Sequence, residues 1–275
     1  MKELYTETSQ YRNWRFSKAK LRETRDKNHI LAVERVKKKV LEESTLQKQI
    51  LDKSSPAYSE QTESVDSPRL IPSEIEYLTL EDELALCNFY ETRIPLMASR
   101  FPKEVIENKF TDKVKATAIT FVKRFYLRNT VMDYHPKEII VTCLFLAAKV
   151  EHSFVAIEEF TKVVKLSKET IFELELVVSR SLRYEYSSDP KEKVNELYKM
   201  LDEIENIINS HVEITIDQAK EIDARLHKCK NPEKNPNSAI SKKRRREKEE
   251  LEEIDRRKKK KLDDEYQKDI SKIFD

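Results

Sequence analysis

The sequence predicts an all-α protein, and three observations carry that prediction. Glycine is absent from all 275 residues, which excludes the P-loop, the dinucleotide G-x-G-x-x-G turn, the kinase glycine loop and the G-x-S-x-G nucleophile elbow. It also removes the usual residue for backbone that needs φ > 0. Apolar residues between Thr79 and Tyr186 recur every three and four positions, the period of a helix with one buried face. Thr79, Thr111 and Pro136 stand where helix caps and first turns belong. The expected architecture is five helices around one buried central helix, flanked by an N-terminal helix and long C-terminal helices. With the glycine loops gone, no catalytic residue and no cofactor is expected.

Lysine and arginine number 53 against 51 aspartates and glutamates, a net charge of +2, so local charge runs matter more than the total. The three cysteines, Cys87, Cys143 and Cys229, show no C-x-x-C or zinc spacing, which points to a reducing compartment and no metal site. His227 and Cys229 alternate on a helix and point apart. No apolar run is long enough for a membrane span, so no membrane role is expected.

Residues 1–42 read as a polar helical segment carrying an aromatic knot of Tyr11, Trp14 and Phe16. These rings either pin the segment to the body or touch a partner. Residues 43–76 turn to Ser, Gln, Glu and Pro, the composition of a mobile linker. The core module spans 77–186. Its first helix opens at Thr79 with Leu80, Leu84, Cys87, Tyr90, Ile94 and Met97 in one stripe, and Pro95 is expected to bend it near its end. A second helix opens at Thr111 and buries Val114, Thr117, Ala118, Phe121, Val122 and Phe125. The third starts at Pro136 and is apolar on nearly every side from Ile139 to Ala148, so others must wrap it. IEEFTKVVKLS forms a short fourth helix, and a fifth turns Ile171, Leu174, Val177, Val178 and Leu182 inward.

The run FVKRFYLRNTVMDYHPKEIIVTCLFLAAKVEH, with ALCNFYETRI before it and FELELVVSRSLRYEY after it, resembles the cyclin box, and within the cyclin family the cyclin H group. NWRFS near the N-terminus resembles the aromatic segment that precedes the box in that group. The resemblance implies a non-enzymatic regulatory subunit that binds and activates a cyclin-dependent kinase. Its implied partners are the kinase catalytic subunit, the assembly factor of the kinase module and transcription factor IIH. The family's paired lysine and glutamate, which grip the kinase's regulatory helix, fall on Lys149 and Glu175, with Val150, Tyr134, His135, Trp14 and Phe16 as further implied contacts. From the residues alone, Lys149 follows a run of mostly apolar positions and must find an acceptor for its ammonium.

Cyclins of this group carry a second five-helix repeat, and nothing after Tyr186 reads like one. The sequence is either a short variant or lacks coding segments at SSDP. Residues 187–230 predict instead a helical pair, the first from Val194 to Ile208 and the second with Ala219, Ile222, Leu226 and Cys229 inward. Residues 231–275 form a charged tail with two basic blocks, Lys242, Lys243, Arg244, Arg245 and Arg246, then Arg256, Arg257, Lys258, Lys259, Lys260 and Lys261. The blocks fit nuclear import, hence a nuclear location, or contact with nucleic acid, and the tail itself fits a solvated helix held by Glu and Arg pairs. The alternative function is a helical nucleic-acid-binding or transcription-initiation factor with a cyclin-like fold, although no zinc-ribbon pattern precedes the box.

Overall fold

The computed structural model describes residues 9–53, 72–103, 109–186 and 214–274, and every regular element among them is helical. In chain order these are α1 (Ser9–Trp14), α2 (Lys18–Lys53), a 3₁₀ turn (Pro72–Glu74), α3 (Leu80–Glu91), α4 (Arg93–Ala98), α5 (Asp112–Phe125), α6 (Pro136–Val150), α7 (Ile157–Val164), α8 (Lys168–Ser181), α9 (Ile216–Lys228), a 3₁₀ turn (Pro232–Lys234) and α10 (Ala239–Phe274). They fall into two units, Met1–Arg35 with Glu76–Cys229, and Val36–Ile75 with Lys230–Asp275. The expected helix from Val194 to Ile208 lies outside the described residues.

The core of the first unit is built around α6. Eleven of its fifteen residues are buried, from Pro136 through Ala148, and α5 and α8 pack against it. Phe121, Phe125, Leu144, Phe160, Ile171 and Val178 are closed off from solvent. The sequence sets each helix start in turn. Thr79 and Asp82 form a capping box on α3, Thr111 accepts from the Val114 amide, and Ser167 caps α8. Pro136 opens α6 at a position whose missing N–H would have no intrahelical partner.

Three sequence expectations need correction. The first helix does not run on and bend; it breaks at Thr92 into α3 and α4. Pro95 has no N–H to donate to the carbonyl four residues back, that of Glu91, and its ring crowds the same carbonyl, so the break falls there. Residues 43–53 are not linker, because α2 continues to Lys53. Val36, Val40, Glu43 and Gln47 recur at helical spacing on a buried face, and the Glu43 carboxylate accepts from the Ala239 and Ile240 amides at 2.8 and 2.9 Å, capping α10. The rest of the expected linker, 54–71, lies outside the described residues.

Thirdly, the absence of glycine does not exclude positive φ. His152, Lys165, Arg183 and Tyr184 take φ values of 55 to 59°. Left-handed backbone costs a non-glycine residue about 1–2 kcal/mol, and here it stops three helices. After α6, the Ser153 amide reaches back to the Ala148 carbonyl at 2.8 Å and His152 to Lys149 at 3.2 Å, the paired closure of a Schellman motif.

Candidate functional site

Lys149 stands in the last turn of α6, where the helix dipole favours a cation. Its stem leaves the core beside the Phe145 ring, 4.9 Å from Nζ, and Nζ donates to Glu175 Oε1 of α8 at 2.6 Å. The two side chains are 37% and 19% exposed. Glu175 thus meets the charge of the ammonium and fixes its position, while part of the lysine side chain stays open to solvent. Val150, the next residue, is partly buried against the core.

Around the pair lies apolar surface that the sequence reading did not single out. Phe172 and Leu176 on α8 are 42% and 48% exposed, and Phe154, just after α6, is 60% exposed. Phe172 and Leu176 are four apart and flank Glu175, so they share its side of the helix. Their spacing was visible in FELELVV, but the inward stripe of Ile171, Leu174 and Val178 drew the reading to the other face. Exposed apolar residues grouped around a fixed ion pair are the usual centre and rim of a protein interface.

The other expected contact residues have partners inside the first unit. Trp14 Nε1 donates to Glu185 Oε2 at 2.7 Å and Asn13 Nδ2 to Glu185 Oε1 at 2.9 Å. The guanidinium groups of Arg124 and Arg128 lie 4.8 and 5.3 Å from the centre of the Trp14 ring. This geometry favours the pinning role for Trp14; Phe16 is half-buried. Tyr134 packs edge-on to Phe125, and its carbonyl accepts from the Tyr126 hydroxyl at 2.8 Å.

His135 caps α6 through Nδ1, which accepts from the Lys137 amide at 3.1 Å, while Nε2 meets Asp223 Oδ1 of α9 at 3.1 Å. Asp223 Oδ2 also accepts from the Tyr90 hydroxyl at 2.8 Å; burial, then the Asp223 carboxylate, pushes the Tyr90 phenol up. Arg225 adds an ion pair to Asp82 at 2.5 Å. Burial opposes ionisation of Asp82, but hydrogen bonds from Thr79 and Arg225 hold its carboxyl below the usual range. Ala219, Ile222 and Leu226 of α9 and its C-cap Cys229 are buried, as their spacing predicts. His135 and Tyr90 thus face α9, and not the ground around Lys149.

Near the end of α6, Glu151 takes a hydrogen bond from Thr117 at 2.7 Å and pairs with Lys113 at 2.8 Å. Burial raises its pKa, but these donors hold it below the ordinary value. His152 ends the helix with a left-handed backbone beside Phe154. The three cysteines are buried thiols, and no group of three metal-ligating side chains occurs among the described residues.

Comparison with known proteins places these helices. The family model for the cyclin N-terminal domain matches residues 103–187, the stretch that contains α5 to α8. Cyclin CCL1 of Saccharomyces cerevisiae is 30% identical over 184 residues, 66% of this chain and 41% of that protein. Cyclin mcs2 of Schizosaccharomyces pombe is 32% identical over 66% of this chain and 49% of its own length. Cyclin-H of Xenopus laevis is 38% identical over 38% of this chain and 30% of its own. The chain therefore spans less than half the length of these relatives. Residues 103–187 therefore match the cyclin N-terminal domain, and the relatives that the chain resembles are cyclins, cyclin-H of Xenopus laevis among them.

Proposed function

We propose that this chain is a cyclin H-like regulatory subunit that binds and activates a cyclin-dependent kinase through the surface around Lys149 and Glu175. The observation that carries the reading is the 2.6 Å ion pair held at the surface and flanked by exposed Phe172 and Leu176. A kinase needs its regulatory helix rotated inward so that the helix's glutamate meets the lysine that holds the ATP phosphates. A subunit that binds only the inward state shifts that equilibrium by its affinity difference for the two states. Such a role needs a rigid surface, and the packing of α8 on the buried α6 supports that reading. The kinase catalytic subunit is then the direct partner, with the module's assembly factor and transcription factor IIH as the larger assembly.

Support for a nuclear location is the pair of basic blocks, 242–246 and 256–261, both on α10 and exposed through residue 260 apart from the half-buried Lys242. Their deletion is expected to leave a tagged protein in the cytoplasm of cells depleted of the partner kinase. Titration of the purified kinase with this chain tests the main reading. Lys149→Ala and Leu176→Asp should each weaken binding about tenfold, on the scale of 1.4 kcal/mol per decade, with helical circular dichroism unchanged. Equal affinity for all three proteins would refute it.

A further inference from the structure

We propose that α10 pairs antiparallel with the α10 of a second copy of this chain, centred on Ile254. The helix is held at its start, where Ala239 and Ile240 are buried and Glu43 takes their amides. From Lys243 to Lys260 every residue is exposed. Among these charges stand two apolar side chains on one face, Leu251 at 63% and Ile254 at 47% exposure. A helix this polar gains little from burying its own surface, and its cohesion rests on pairs between residues four apart. Several of those pairs are long and solvated, Arg245 to Glu249 at 3.9 Å, Lys248 to Glu252 at 3.7 Å and Arg256 to Glu252 at 3.9 Å, while Arg257 holds Glu253 at 2.5 Å. Each exposed pair is worth about 0.3–0.5 kcal/mol, little enough for an opposite charge on a partner to compete with it.

The order of charge along the sequence selects that partner. Residues 242–246 are basic, 247–255 mostly acidic, 256–261 basic and 263–265 acidic. A parallel copy in register would set each block against its like. An antiparallel copy centred on Ile254 sets the acidic block against the second basic block, and on the face that carries Leu251 and Ile254 it brings Glu250 opposite Lys258 and Glu247 opposite register position 261, a lysine. The stretch 263–265 then falls against 243–245. Ile254 meets its own copy on the two-fold axis, and the stem of Lys258 lies over Leu251. This is the self-complementary patch that an isologous dimer requires. A nucleic-acid strand laid along the helix would meet the acidic stretch 247–255 at its middle, which disfavours that occupant.

The test uses the full chain. Sedimentation equilibrium should give a concentration-dependent dimer of the 32.7 kDa chain that weakens in about 0.5 M salt, where the screening length falls to a few ångströms. The double variant Lys258→Glu/Lys261→Glu should dimerise about tenfold more weakly, and adding Glu247→Lys/Glu250→Lys should restore the wild-type constant. Since the three native cysteines are buried, Ile254→Cys should form a disulfide-linked dimer under mild oxidant and Lys243→Cys should not. A monomer at about 100 μM, weaker than any functional affinity of that order, together with no Ile254→Cys crosslink, would overturn the proposal. A Lys243→Cys crosslink, or no recovery in the swapped variant, would equally do so.

Discussion

Lys165→Gly should make this protein more stable, in a chain that uses no glycine at all. Lys165 ends α7 with φ 55° and ψ 36°, and its amide donates to the Thr161 carbonyl at 3.2 Å. The side chain is exposed, so replacing it removes no buried contact. Holding a β-carbon in the left-handed region costs about 1–2 kcal/mol, and glycine gives back part of that, about 0.5–1 kcal/mol, as extra freedom of the unfolded chain. The expected net gain is about 0.5–1 kcal/mol, or about 1–4 °C in melting temperature for a domain of this size. Lys165→Ala is the control, since it removes the lysine but keeps the β-carbon. Urea and thermal unfolding followed by far-ultraviolet circular dichroism compare the three proteins. If the glycine variant were no more stable than the alanine variant, the left-handed turn would carry no strain, and the cost assigned to all four positive-φ residues would be wrong.

Three further outcomes are expected. His29 Nδ1 lies 2.5 Å from Glu83 Oε1, and that hydrogen bond raises the histidine pKa above its ordinary value. Its stabilisation should be complete below about pH 6.5, the unperturbed value, and disappear as pH rises through the raised one. Wild type should therefore exceed His29→Gln in stability more at pH 6 than at pH 8.5, and a constant difference across urea titrations at both would refute the assignment. Asp223→Ala should release α9 by removing the acceptor of Tyr90 and His135, a loss of about 1–3 kcal/mol, read as faster trypsin cleavage at Arg225 and Lys228; an unchanged rate would count against the clamp. Glu43→Ala strands the Ala239 and Ile240 amides at a similar cost, so hydrogen exchange at those two amides should quicken by about 5- to 150-fold while exchange in α6 stays as it was.

Local chemistry made the box legible. Thr79, Thr111 and Pro136 each carry their signal in their own side chain or ring, and the helices begin where those residues stand. Pro95 signalled a disruption, but its position did not show that the break would fall at the carbonyl four residues earlier. The run from Glu43 to Lys53 was misread because Ser, Gln and Glu look like linker when only composition is counted. Glu43 is explained by the α10 amides it caps, nearly two hundred residues away in sequence. His135 could be assigned to the turn it shapes; that its second nitrogen meets Asp223 depends on where α9 docks, which no local pattern specifies. The ion pair of Lys149 and Glu175 was reached through family resemblance, since twenty-six residues and a whole helix separate the two.

Trp14 is the chain's single tryptophan, and it belongs to the N-terminal segment, between two guanidinium groups and the Glu185 carboxylate. The intrinsic tryptophan emission of this protein is therefore a gauge of one dock, that of residues 9–14 against the ends of α5 and α8. Loss of that dock would shift the emission while α6 and its neighbours stayed intact. A partner that displaced the segment would register optically without a label.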